Sequence, residues 1–202
     1  MATAARSSAK KSKPRNVAER KSAKLARPHV LILLHGIRTQ ASWHEMVKSI
    51  FEDRAGMIVQ PVKYGFFDTF RFLMPFATRR KPVERFIREY RDIKLKYPDA
   101  QVSVLAHSFG TYVVTKALKQ EPDIVLDRVI LCGCIVEESF RVAPLRAQLG
   151  DQPVVNDCGT NDIWPLLAKS ITWGYGATGT FGFGTNGIVD RFHPFAHSSY
   201  FD

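Results

Sequence analysis

Residues 104–112 read VLAHSFGTY: a branched apolar run that passes through a single serine into a helix-like pattern. The reading of Ser108 decides the fold. A sharp strand-to-helix turn needs small residues two positions before and two after an exposed nucleophile, because the two backbones nearly touch there. Ala106 and Gly110 occupy those positions, with Ala where the G-x-S-x-G pattern usually has its first Gly. The competing reading makes Ser108 an ordinary N-cap for the helix that follows. The choice depends on whether the rest of the chain supplies a base, an acid and an oxyanion site in usable order.

Outward from this stretch, short branched-apolar runs alternate with helical patterns. HVLILLHG (29–36), MIVQPVKYG (57–65), QVSVLAH (101–107), DRVILCGCI (127–135), PVVNDCG (153–159) and GIVDRF (187–192) read as strands. Pro61 marks the second run as irregular or at a sheet edge. Between them, residues 42–56 place Trp43, Met46, Val47, Ile50 and Phe51 at helical spacing, and Val83, Phe86, Ile87, Tyr90 and Ile93 do the same after Pro82. Further helices are expected over 109–120, around 140–149 and over 163–171. This alternation predicts an α/β fold: a mainly parallel sheet of about six strands with helices on both faces.

In such a sheet ligands bind beyond the strand C-termini, where Ser108 would lie. LLHGIRT (33–39) ends the first strand there too. In an elbow enzyme one oxyanion donor is the N–H after the nucleophile, and another comes from the loop after this earlier strand. Those donors would be the backbone N–H groups of Phe109 and Ile37. His35 is expected to orient the loop rather than to react.

Taken together, HGIRT, AHSFG, GTND and a late HSSYF fall in the order oxyanion loop, Ser, Asp, His, and residues 28 to 200 resemble the α/β-hydrolase superfamily in a small branch without a large cap. The resemblance implies an α/β-hydrolase fold with a reduced core, since the usual first two strands have no candidate. It places the acid in the loop after PVVND, where Gly159-Thr160-Asn161-Asp162 matches a G-x-x-D form; Asp157, Glu137 and Glu138 are the rivals. DRFHPFAHSSYF offers two histidines. His193, before Pro194, reads as a strand-end residue, and His197, in the loop before Ser198, is favoured as base. The implied activity is serine hydrolysis of a carboxylic ester or thioester through an acyl-serine, without cofactor or metal.

Composition bounds the rest. The chain has 202 residues, 45% hydrophobic and 24% charged, which suits one soluble domain. Residues 1–29 hold nine Lys/Arg against Glu19 alone, so a net +8 of the chain's +10 belongs to the N-terminal stretch. Residues 1–27 have almost no large apolar side chains and read as a disordered basic tail ahead of a 28–202 hydrolase domain. Such a tail suits an anionic surface or nucleic acid, and a binder working through it is one rival function. A non-catalytic protein of the same fold is another. No apolar h-region follows Met1 and three cysteines make no disulfide framework, so a cytoplasmic location is expected.

Two remaining segments carry weaker signals. Gly174, Gly176 and Gly179 spell G-x-G-x-x-G, but without the strand before and helix after that a dinucleotide site requires; a flexible or tightly turned loop beside the site is expected. GFFDTFRFLMPFATRRK (65–81) mixes phenylalanines with basic residues and would serve as core packing, a hydrophobic substrate wall for an ester or lipid, or an interfacial contact.

Overall fold

The computed structural model describes residues 27–36, 42–62, 79–164, 175–197 and 199–201. The tail, Ile37, most of the aromatic segment 65–81 and nearly all of the expected helix 163–171 lie outside the described residues.

Strands β1 (His29–Leu34), β2 (Ile58–Val62), β3 (Gln101–His107), β4 (Arg128–Cys132), β5 (Val154–Gly159) and β6 (Ile188–His193) form one sheet in the order β2-β1-β3-β4-β5-β6, with every pairing parallel. Its central strands are near-continuous apolar runs because both faces are covered. Alternate residues of β1 divide between two clusters. Val30, Ile32 and Leu34 join Phe86, Ile87, Val113 and Val114 on one face, while Leu31 and Leu33 join Trp43 and Val47 on the other. The first face is covered by α2 (Arg80–Lys96) and α3 (Phe109–Gln120), the second by α1 (Ser42–Ala55) and the C-terminal turn Ser199–Phe201. No helix among the described residues is long and apolar enough to cross a membrane.

Departures from the sequence reading have local causes. Of the apolar residues of α1, Met46 and Ile50 are exposed and only Trp43 and Val47 are buried, because this helix covers one edge of the sheet and needs only a narrow stripe. The fourth strand stops at Cys132 rather than 135, since Gly133 turns the chain with φ of 53°. The expected helix near 140–149 is a 3-10 helix over Ala143–Gln148, closed by i→i+3 bonds such as Leu145 N–H to Val142 O at 2.8 Å. Pro61 does sit in the edge strand β2.

The topology fixes where a site can form. From β1 the chain builds β2 on one side, then crosses back to place β3 on the other. The crevice beyond the C-termini of β1 and β3 is therefore a switch point. His35-Gly36 and Ser108 leave the sheet there.

Candidate active site

Ser108 is held in a strained turn between β3 and α3. Its φ of 54° and ψ of −119° make it the sole non-glycine residue with positive φ among the described residues, a conformation that costs on the order of 1–3 kcal/mol. The surroundings impose it. Ser108 N–H donates to Cys132 O at 2.9 Å, and Ser108 O accepts both the N–H and the hydroxyl of Thr111, at 2.9 and 2.6 Å. A Cβ on Gly110 would lie 2.6 Å from Leu34 O, and one on Gly36 would lie 2.8 Å from Ser108 Cβ. Small residues are required here because strand ends and helix start touch. Ser108 holds the N-cap position of α3 but makes no side-chain cap bond to it, so capping does not occupy its hydroxyl. Its hydroxyl goes elsewhere.

It points to His197. Ser108 Oγ lies 2.9 Å from His197 Nε2, and His197 Nδ1 lies 2.8 Å from Asp162 Oδ2. A carboxylate only accepts at Nδ1, so the ring proton sits there and Nε2 is left to accept from the serine hydroxyl. Asp162 is buried, and its carboxylate also accepts Trp164 N–H at 3.0 Å and the Tyr200 hydroxyl at 3.4 Å. Its own N–H closes the G-T-N-D turn on Gly159 O at 2.9 Å. The acid loop is stitched to the histidine loop by Thr160 N–H to His193 O (2.9 Å) and Asn161 N–H to Phe195 O (3.2 Å). A hydroxyl, an imidazole and a carboxylate thus form one continuous hydrogen-bonded chain at the sheet's C-terminal edge.

No protein-family model and no curated protein matches the sequence. Solved structures do match the fold. A cold-adapted esterase from an Arctic intertidal metagenomic library superposes with a TM-score of 0.53 at 14% identity, over 87% of this chain and 77% of its own. A Listeria innocua protein gives 0.51 at 13% identity, over 82% and 84%. A CIB-like hydrolase of Thermoplasma acidophilum gives 0.50 at 19% identity, over 87% and 80%. The fold is the α/β-hydrolase fold. In this α/β-hydrolase fold the serine, aspartate and histidine follow β3, β5 and β6, in the chain order expected from the sequence.

The rivals Asp157 and His193 are engaged in a separate cluster. Asp157 accepts both Arg191 Nε and Nη2, at 2.7 and 2.6 Å, and its Oδ1 lies 2.9 Å from His193 Nε2. His193 is the last residue of β6, as its position before Pro194 predicts. Glu137 accepts from the Ser139 hydroxyl at 3.3 Å and Glu138 from Ala177 N–H at 3.2 Å. Of the oxyanion candidates, Ile37 lies outside the described residues. Phe109 opens α3, so its N–H belongs to the first turn, where amides lack intrahelical acceptors. His35 Nδ1–H donates to Gly36 O at 2.6 Å, and burial lowers its pKa. The glycine-rich segment is a short packed turn, Thr178–Phe181, whose Thr180 hydroxyl donates to Asp162 O at 2.7 Å.

Two residues around the chain of bonds were not singled out from the sequence. A Cβ on Gly133 would lie 3.1 Å from Asp162 Oδ2 and 3.2 Å from His197 Nδ1. Together with its positive φ, this confines the position to glycine. Gly133→Ala is expected to cost about 1 kcal/mol of stability and, by displacing the imidazole, to lower turnover by about tenfold or more; melting and initial-rate measurements check both. The second is His107, whose Nε2–H donates to the main-chain oxygen of His197 at 2.8 Å. The only signal for either in the sequence is adjacency, Gly133 to a strand end and His107 to Ser108.

Cys132, Cys134 and Cys158 are buried free thiols. Burial raises the pKa of all three, to about 11 for Cys134 and about 12 for Cys158, so none is a ready thiolate. Iodoacetamide at neutral pH is expected to leave the folded protein unmodified and its activity unchanged, as intact mass and initial rates would show.

Proposed function

We propose that this chain is a serine hydrolase that cleaves a carboxylic ester or thioester through an acyl-serine intermediate. The observation that carries this reading is the unbroken chain from Ser108 Oγ through His197 to Asp162. Ser108 attacks the acyl carbonyl while His197 Nε2 takes its proton. Asp162 holds the imidazole tautomer and stabilises the imidazolium that forms. The N–H groups of Phe109 and Ile37 serve the oxyanion. His197 then returns the proton to the departing alkoxide or thiolate, and a water, activated in the same way, releases the acid. The esterase and hydrolase names of two neighbours of this fold agree with that chemistry.

The mouth of the site favours a substrate with an apolar portion. Ile163 and Trp164 follow the acid directly, are 62% and 58% exposed, and the Trp164 ring lies 6.2 Å from that of His197. A panel of p-nitrophenyl esters of rising acyl length tests the proposal. Saturable turnover that improves beyond acetate supports it, and absence of turnover across the panel rejects it.

The basic tail is assigned a separate role as a tether to anionic surfaces. Deleting residues 1–27 is expected to leave kcat/KM on a small neutral ester within about threefold, while removing most affinity for anionic vesicles, because the charge lies in that stretch. Vesicle co-sedimentation of the full and shortened chains measures this.

A further inference from the structure

We infer that His107 is a positioning residue: its imidazole holds the backbone of His197 at the distance from Ser108 that proton transfer requires. This rests on the reading of His197 as the base. His107 ends β3 on the same face as Leu105 and is 4% exposed. Its ring is walled by Trp43, Tyr200 and Phe201, with centroids at 6.5, 5.7 and 5.6 Å, and lies 4.8 Å from the ring of His197. A leucine or phenylalanine would fill such a space without the cost of burying polar nitrogens. Among the described residues the imidazole makes a single hydrogen bond, from Nε2–H to His197 O at 2.8 Å. Its Nδ1 is buried and has no hydrogen-bond partner among the described residues. A carbonyl only accepts, so the tautomer is fixed with the proton on Nε2.

The covalent arrangement gives that one bond its leverage. His107 and Ser108 are neighbours in the chain, so Ser108 Oγ to His197 Nε2 and His107 Nε2 to His197 O close a ring through one peptide link. Both the nucleophile and the backbone of the base are thereby referenced to the same strand end. The side chain of His197 is fixed by Asp162, but its main chain sits on a loop, and the His107 bond anchors that loop to the sheet. Burial, reinforced by the nearby His197, lowers the pKa of His107 to about 3. The donor therefore stays neutral and places no charge beside the imidazolium that His197 becomes during turnover.

The test compares His107→Leu, His107→Gln and His107→Asn in the full chain. Leu fills the space without a donor, Gln carries an amide N–H at a reach similar to Nε2, and Asn carries one that falls short. The readouts are kcat and KM on p-nitrophenyl butyrate, the melting temperature, and the low-field NMR resonance of the His197 Nδ1 proton shared with Asp162. Leu and Asn are expected to lower kcat on the order of 100-fold with KM changed by less than about threefold, and Gln to recover most of the loss. The low-field resonance should broaden or vanish in Leu and Asn and persist in Gln. Wild-type kcat and an intact resonance in His107→Leu would overturn the inference, as would Gln and Asn variants of equal kcat and equal resonance. Should His107→Leu fail to fold, the Gln–Asn comparison decides. Should the wild-type protein turn over no ester, the hydrolase reading fails, while the resonance still tests whether His107 holds His197.

Discussion

Replacing Ser108 by alanine is expected to lower kcat on p-nitrophenyl esters on the order of ten-thousand-fold or more, with the melting temperature unchanged within a few degrees. The hydroxyl makes no cap bond to α3 and its partner is His197 Nε2, so its loss removes chemistry and leaves the packing. The turn itself is a store of strain, because a residue with a side chain occupies φ of 54°. Ser108→Gly should therefore be equally inactive yet more stable, by about 1 kcal/mol and roughly 3 °C in melting temperature. A position where the inactive glycine variant outlasts the native serine is one where the fold gives up stability to present an oxygen. Steady-state rates and thermal melts of the two variants, purified side by side, measure both effects.

The second large effect separates two histidines four residues apart. His197→Ala is expected to lower kcat by a factor comparable to loss of the nucleophile, on the order of ten-thousand-fold. His193→Ala should cost less than about tenfold, through loop disorder rather than chemistry. The reason is partnership. His197 bridges Ser108 and Asp162, whereas His193 lies on Asp157, whose carboxylate is already paired with Nε and Nη2 of Arg191. Asp162→Asn should follow His197 and Asp157→Asn should follow His193. A reversed ranking in single-variant kinetics would move the base to His193.

The parts of this arrangement legible in the sequence were those imposed by steric contact or chain order. Ala106, Ser108 and Gly110 announced the elbow because the backbones of β1, β3 and α3 meet there, leaving no space for a Cβ at 110. The carboxylate and imidazole that meet Ser108 were legible through motif order along the chain, with Asp157 and His193 left as rivals. What separates the pairs is register across β5 and β6, where Asp157 faces Arg191 and Gly159 faces His193; a linear sequence does not display that. Gly133 and His107 escaped notice for the same reason, since each acts on residues more than 25 positions away. The apolar spacing of α1 was legible too, but how much of the stripe is covered depends on where the helix lies on the sheet.

An activated nucleophile at Ser108 is open to covalent capture. The full-length protein is incubated with a fluorophosphonate, and the adduct is located by peptide mass spectrometry. A single adduct is expected on the peptide containing Ser108, absent from Ser108→Ala and strongly reduced in His197→Ala. No adduct on the folded wild-type protein, or an adduct on another residue that persists in Ser108→Ala, would contradict it.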